Sequence, residues 1–147
     1  MNWHMPRLNP GRSPFPQAKE EPSTVLVVED EELVRLVICD YLQDCGFNVF
    51  GAATVAEAID ILQSVGTRID LVFSDIRLSG ELDGIDLAHW VRQNRGGLPV
   101  ILTSGDTARS AAATELCRAH NMPFFAKPYD MVRVGAAIRE LVGANRR

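Results

Sequence analysis

The chain lacks an excess of positive charge and any long apolar run. Its 147 residues contain 15 Lys and Arg against 19 Asp and Glu, which gives a formal charge of −4. Nucleic-acid backbones bind basic surfaces, so this balance argues against direct nucleic-acid binding. No apolar run approaches the roughly 18 residues of a membrane-spanning helix, and the N-terminus lacks the apolar core of a signal peptide. We therefore expect neither nucleic acid nor membrane as a partner.

Cysteine is also scarce. Cys39, Cys45 and Cys117 are odd in number, show no CxxC spacing and fall in helical patterns. This usage argues against a disulfide framework or a zinc site and predicts buried free thiols in a reducing, cytoplasmic compartment.

Phosphate-binding loops are missing too, since neither GxGxxG nor GxxxxGK[ST] occurs. A nucleotide-binding module is therefore disfavoured.

Proline is concentrated at the start of the chain. Residues 1–22 contain most of the 8 prolines and show little periodicity, which predicts a disordered, proline-rich leader. Residues 23–147, within a chain that is 46% hydrophobic, are enough for one packed domain. We therefore expect a stand-alone single domain with no second catalytic or DNA-binding unit.

From Thr24 onward, short β-rich runs alternate with longer helical patterns, which is typical of βαβ units around a parallel sheet. The predicted strands are 24–28, 47–52, 70–74, 98–103 and 122–126, and the predicted helices are 31–44, 55–64, 85–93, 107–119 and 130–142. Gly46 and Gly66 are predicted left-handed helix ends, and Thr54 with Glu57 a capping box. These units predict an α/β, doubly wound, three-layer sandwich.

Several chemically active side chains follow the predicted strands, namely Glu29, Asp30, Asp75, Ser104 and Lys127. Because the carboxyl ends of parallel strands meet at one edge of a sheet, these side chains should converge. Acids can hold a divalent cation, while a lysine and a hydroxyl can contact an anion. Singly, Asp30 could be a helix cap, Asp75 a turn former and Lys127 a solvated lysine. Their joint occurrence favours aspartyl phosphate chemistry.

Four segments resemble the receiver domain of two-component response regulators: VLVVEDE at 25–31, LVFSDIRLSG at 71–80, LPVILTSG at 98–105 and FFAKPY at 124–129. The resemblance covers about residues 24–142. It implies a flavodoxin-like fold with a five-stranded parallel sheet in the order 2-1-3-4-5. It also implies that the chain accepts a phosphoryl group from a phosphohistidine with Mg²⁺. Such a chain is a signalling phosphoacceptor, and not an enzyme beyond its own phosphotransfer and autodephosphorylation.

The resemblance also implies a role for each site residue. Glu29 and Asp30 would be the acidic pair for Mg²⁺, and Asp75 would be both the phosphoacceptor and a metal ligand. The main-chain carbonyl of Arg77 would complete the metal sphere.

A second group of residues would respond to the phosphoryl group. Ser104 would be the switch hydroxyl, and Lys127 would pair with the phosphoryl oxygens. Phe124 takes the place of the family's aromatic switch residue, without a tyrosine hydroxyl. The Lys127–Pro128 peptide bond would be cis, as is typical in the family.

One loop departs from the family pattern. The family usually has proline four residues after the acceptor and glycine eight after it, whereas this chain has Ser79 and, nine residues after, Gly84. The loop 77–83 should therefore be one residue longer. We also hypothesise that Arg77 and Asp106 pair across the mouth of the site and slow autodephosphorylation.

Alternatives and partners follow from the same residues. A haloacid-dehalogenase-type phosphohydrolase needs a second acid two residues after its nucleophile, where this chain has Arg77, and a pseudo-receiver that only binds partners also stays open. The resemblance implies a histidine kinase, a histidine phosphotransfer protein or both as partners, and it leaves homodimerisation open.

The run from Leu33 to Ile38 is too apolar for one core-facing stripe. We hypothesise that Leu33 and Leu36 face a partner, the alternative being that the whole run is core.

Overall fold

The structure, a computed structural model, describes residues 21–105 and 107–145. The five strands are β1 (Thr24–Val28), β2 (Asn48–Ala52), β3 (Leu71–Asp75), β4 (Val100–Ser104) and β5 (Phe124–Ala126). The five helices are α1 (Glu32–Asp44), α2 (Val55–Gln63), α3 (Gly84–Asn94), α4 (Thr107–Ala119) and α5 (Met131–Asn145). Most of the predicted leader, residues 1–20, and the predicted gate residue Asp106 lie outside the described residues.

The strands form one parallel sheet in the order β2-β1-β3-β4-β5, which confirms the predicted topology. Every residue of β1, β3 and β4 is buried, whereas the edge strands β2 and β5 are partly exposed. Central strands of a parallel sheet are covered on both faces, which explains their continuous apolar runs. The sheet is therefore the middle layer of a three-layer sandwich.

Alternating side chains of the central strands form two separate cores. Leu26 and Val28 belong to a core with the buried faces of α2, α3 and α4. Val25 and Val27 point the other way, into a core with the buried faces of α1 and α5. This alternation follows from the two-residue period of a strand and fixes which helices lie on which face.

Element boundaries agree with the prediction within three residues, and the differences have local causes. β4 and β5 begin at Val100 and Phe124, two residues later than predicted, directly after Pro99 and Pro123. Proline lacks the N–H that a ladder needs, although both proline carbonyls accept hydrogen bonds from the neighbouring strand. α5 runs to Asn145, three residues beyond the predicted end.

Helix ends confirm some of the predicted caps and correct one. Gly46 and Gly66 have positive φ angles of 97° and 86°, as predicted for left-handed residues. Thr54 accepts a hydrogen bond from the Glu57 N–H at 3.1 Å, so it caps α2. The Glu57 carboxylate, however, accepts from the N–H of Ala53 rather than of Thr54, so the predicted reciprocal capping box was wrong by one residue.

The prediction of buried free thiols was correct in part. All three cysteines are free thiols, as predicted. Cys117 is buried, but Cys39 and Cys45 are only half-buried, so the prediction of burial was wrong for these two. Among the helices of the described residues, none is long and apolar enough to span a membrane.

Gly84 fixes the base of the β3–α3 loop. Its N–H donates to the Ile76 carbonyl at 2.8 Å. A Cβ at position 84 would overlap the Asp75 carbonyl oxygen and would lie 2.8 Å from the Ile76 Cα. Asp83, the residue before Gly84, caps α3 and forms a capping box with Asp86. This capping box was not predicted from the sequence. Helix α3 therefore starts in direct contact with the backbone of Asp75.

We predict that Gly84→Ala lowers the free energy of unfolding by about 1–3 kcal/mol, because the added methyl group meets backbone atoms that cannot move aside. The matched control is Gly143→Ala in α5, where no atom lies within 4 Å of the added Cβ. There alanine should be neutral or stabilise by up to about 1 kcal/mol through helix propensity. Urea unfolding of the two variants and the wild type measures both effects. Equal stability of Gly84→Ala and the wild type would contradict the close approach.

Candidate functional site

The carboxyl ends of the central strands meet at a cleft of about 410 Å³. Its lining residues are Asp30, Glu31, Asp75, Arg77, Ser104, Gly105 and Lys127. The register of the sheet explains this convergence, because Asp75 pairs with Thr103 and Ser104 pairs with Ala126. Backbone hydrogen bonds extend the ladder past β5, since the Lys127 N–H donates to the Ser104 carbonyl at 2.9 Å. The strand ends thus hold the predicted site residues next to one another.

Lys127 contacts both buried acids of the cleft. Its Nζ donates a hydrogen bond to Asp75 Oδ2 at 2.8 Å and lies 3.6 Å from Glu29 Oε2. The Lys127 side chain is 33% exposed, whereas those of Asp75 and Glu29 are 9% and 4% exposed. Burial lowers the pKa of Lys127, but its hydrogen bond and attraction to Asp75, with the charge of Glu29, outweigh that effect and leave the pKa raised. The lysine is therefore a fixed cation at the mouth of the cleft.

Three carboxylates crowd together beside this lysine. Oxygen atoms of Glu29, Asp30 and Asp75 all lie within 4.8 Å of one another. Burial and the neighbouring charge of Asp75 raise the pKa of Glu29 to about 7, against the smaller lowering effects of the Glu31 N–H and Lys127. Because one lysine does not balance three acids, the cluster is short of positive charge. A set of hard oxygen donors with excess negative charge fits the ligand preference of Mg²⁺.

Two residues that sequence reasoning did not assign to the site hold its first loop in place. Arg35 of α1 donates from Nη1 to the Glu29 carbonyl oxygen at 2.7 Å, and its side chain crosses Gly51 of β2. Ser79 Oγ donates to Asp30 Oδ2 at 2.9 Å. Two features of the sequence could have pointed to these contacts. Gly51 lies inside a predicted strand and leaves room for Arg35, and Ser79 replaces the family's usual proline.

The simpler structural explanation for Asp30 is wrong. Helix α1 is preceded by Glu31 at the N-cap position, which makes no side-chain capping bond. The Asp30 side chain instead faces the cleft and meets Ser79. This acid is therefore available to the site and is not used to cap the helix.

Of the two predicted switch residues, Ser104 lines the cleft and Phe124 does not. Ser104 ends β4 and is only 1% exposed, and Phe124 is half-buried against the core of α2, α3 and α4. Phe125 points to the opposite core, where its ring centroid lies 6.5 Å from that of Tyr129. The Lys127–Pro128 peptide bond is cis, as the resemblance implied.

Helix α1 presents an apolar surface beside the cleft. Leu33, Leu36 and Val37 are 78%, 51% and 65% exposed, whereas Ile38 is buried. Part of the apolar run therefore faces outward, as predicted, and the alternative that the whole run is core is wrong. We call Leu33, Leu36 and Val37 the α1 surface.

Comparisons with known proteins agree with this geometry. The family model described as "Response regulator receiver domain" matches residues 25–139. The chain is 32% identical over 120 residues to the sensor kinase CckA of Brucella abortus (strain 2308), which covers 82% of this chain and 12% of that protein. The chain therefore spans about an eighth of the length of that curated relative.

Solved structures give the same result. A response regulator receiver protein from Sinorhizobium medicae WSM419 superposes with a TM-score of 0.74 at 30% identity, covering 84% of this chain and 97% of the other. The receiver domain from the hybrid histidine kinase CckA has a TM-score of 0.66 at 30% identity, with coverages of 82% and 99%. With its parallel sheet, its acidic cleft and these matches, the chain belongs to the response regulator receiver domain family of two-component systems.

Proposed function

We propose that this receiver domain accepts a phosphoryl group from a phosphohistidine onto Asp75 and thereby changes its surface for a partner or for onward transfer. One observation carries the proposal: the carboxylate of Asp75 is buried at the end of β3 and is held by Lys127 at 2.8 Å inside an acidic cleft. Lys127 fixes Oδ2, which leaves the second carboxylate oxygen as the nucleophile. As the new O–P bond forms, the P–N bond of the phosphohistidine breaks and the imidazole leaves.

The transfer depends on how the chain balances negative charge. Glu29, Asp30, Asp75 and the main-chain carbonyl of Arg77 would hold Mg²⁺, which supplies positive charge to the transferring phosphoryl oxygens. Lys127, which contacts Asp75 and Glu29, supplies a second positive charge. Positive charge next to the Asp75 carboxylate would stabilise the negative charge that develops on the phosphoryl group in the transition state.

The proposed switch acts through the end of β4. A phosphoryl group on Asp75 adds negative charge and oxygen acceptors next to β4, the neighbouring strand. Ser104 can donate to those oxygens, and Lys127 can pair with them. Movement at Ser104 would change the space beside Phe124, which packs against the core under α4. The phosphorylated form would thus present a different α4–β5 surface.

The proposed partner is a histidine kinase or a histidine phosphotransfer protein, and the α1 surface is its proposed docking site. Helix α1 begins two residues after Asp30, so its first turns flank the cleft. A partner that delivers a phosphoryl group to Asp75 must cover this region, and exposed apolar side chains there would be buried by it. A phosphohydrolase stays disfavoured because Arg77 stands where a second acid would be needed.

Phosphoacceptance predicts that the wild type gains one phosphoryl group when incubated with acetyl phosphate and Mg²⁺, and that Asp75→Asn gains none. The asparagine keeps the shape of the side chain but is a far poorer nucleophile. Mass spectrometry of the intact protein measures the gain. Asp83→Asn is the matched control, because asparagine caps α3 as well as aspartate does and the acceptor remains. Labelling of Asp75→Asn to the wild-type level would refute the assignment.

The raised pKa of Glu29 predicts a pH dependence of stability in metal-free protein. Between pH 4.5 and about 7 the folded state keeps the Glu29 proton that the unfolded state has lost. The free energy of unfolding should therefore fall as the pH rises through this window, by at most about 1.4 kcal/mol per pH unit for one group.

Glu29→Gln isolates this effect. Glutamine cannot ionise but can still accept the Glu31 N–H, and histidines elsewhere contribute equally to both proteins. Urea unfolding in EDTA from pH 4.5 to 8 should show wild-type stability falling relative to Glu29→Gln. Parallel curves would contradict the raised pKa.

The α1 surface predicts a defect that depends on the phosphodonor. Leu36→Glu should slow transfer from a phosphorylated partner about tenfold, because a charge would have to be buried in the interface. Labelling by acetyl phosphate should stay at the wild-type rate. Val65→Glu is the control, since Val65 is fully exposed after the far end of α2. Equal loss with both donors would indicate misfolding, and an unchanged partner rate would place the docking surface elsewhere.

A further inference from the structure

Ser79 joins two loops that the chain separates by 49 residues. Its side chain is on the exposed β3–α3 loop, yet its hydroxyl donates to Asp30 Oδ2 in the β1–α1 loop at 2.9 Å. Asp30 is half-buried and is one of the acids of the cluster. This hydrogen bond ties a proposed metal ligand to the loop that carries Arg77, whose main-chain carbonyl is another.

The β3–α3 loop is anchored at its base independently of Ser79. The Gly84 N–H donates to the Ile76 carbonyl at 2.8 Å, and Leu78 is buried in the core of α2, α3 and α4. Arg77 lies between the buried residues Ile76 and Leu78, so its carbonyl belongs to a short, held segment. The Ser79 contact adds a second anchor one residue beyond Leu78. Two ligand groups from different loops thereby share one support.

Resting on the proposed function, we propose that Ser79 is a positioning residue of the metal site: its hydroxyl holds the Asp30 carboxylate and the β3–α3 loop in the arrangement that binds Mg²⁺. The bond fixes the orientation of the Asp30 carboxylate. Hydrogen bonds from surrounding residues orient carboxylate ligands and reduce the rotamer freedom lost on binding. Proline, the usual residue at this position of the family, has no donor, so this chain supports its metal ligand by a contact of its own.

Magnesium affinity of the unphosphorylated protein tests the proposal directly. Isothermal titration of the full chain should give Ser79→Ala a dissociation constant about three- to tenfold above that of the wild type, as the loss of one hydrogen bond implies. Ser79→Thr keeps a hydroxyl at the same position and should restore the affinity. Ser64→Ala is the control: the Ser64 hydroxyl donates to the main-chain carbonyl of Asp60 at the end of α2, so this variant also loses a serine hydrogen bond but should bind Mg²⁺ like the wild type.

A double-mutant cycle separates positioning from a general effect on the loop. If Ser79 acts through Asp30, then Ser79→Ala should cause no further loss of affinity in an Asp30→Ala background, where Glu29 and Asp75 remain. An equal loss in both backgrounds would overturn the proposal, as would a Ser79→Ala variant that binds Mg²⁺ as tightly as the wild type or more tightly. If the wild type binds Mg²⁺ and only these results fail, the proposed function survives and the role of Ser79 does not. A wild type that binds no Mg²⁺ would overturn both.

Discussion

The ion pair between Lys127 and Asp75 is the contact on which the rest of the site depends. Three carboxylates at one edge of a sheet repel one another, and this lysine is the cation that offsets them. The pair also spans the sheet, because β4 separates β3 from β5 and two strand spacings amount to about 10 Å. A long lysine side chain covers that span by passing over Gly105.

The incomplete charge balance between the three carboxylates and Lys127 lowers the stability of the fold. A core of this size would be more stable with fewer acids at its edge, and the raised pKa of Glu29 shows that one of them is held in an unfavourable setting. Because the cluster carries excess negative charge, a divalent cation would be attracted to it, and a new anion would alter its charge balance again. With balanced charge, the proposed Mg²⁺ would bind more weakly and the proposed phosphorylation would change the site less. The raised pKa of Glu29 and the proposed affinity for a cation therefore have one physical origin, the burial and crowding of the acids.

Local sequence signals were enough to predict a doubly wound α/β sandwich, because each of them agreed with the fold: buried β-branched runs for the central strands, glycines at helix ends and active residues at strand ends. The strand order 2-1-3-4-5 was implied by the resemblance to the receiver family. Strand starts were less predictable where proline moved the first ladder bond, as at Val100 and Phe124. The contacts of Arg35 and Ser79 could not be predicted either. Each joins segments that are distant in sequence or bonds to a backbone oxygen, and neither leaves a periodic pattern. Contacts of this kind become visible only in the three-dimensional structure.

This difference reflects how the two parts of the site are held. Glu29, Asp75, Ser104 and Lys127 lie in or directly after strands, whose ladders position them whatever the loops do. Asp30 and Arg77 lie in the loops after β1 and β3, beyond the last residues of those strands. Gly84 allows α3 to start against the backbone of Asp75, and the Ser79 hydroxyl holds the carboxylate of Asp30. In the proposed metal site, the sheet would therefore position the ligands that follow strands, whereas the loop ligand Asp30 is positioned by a side-chain contact from another loop.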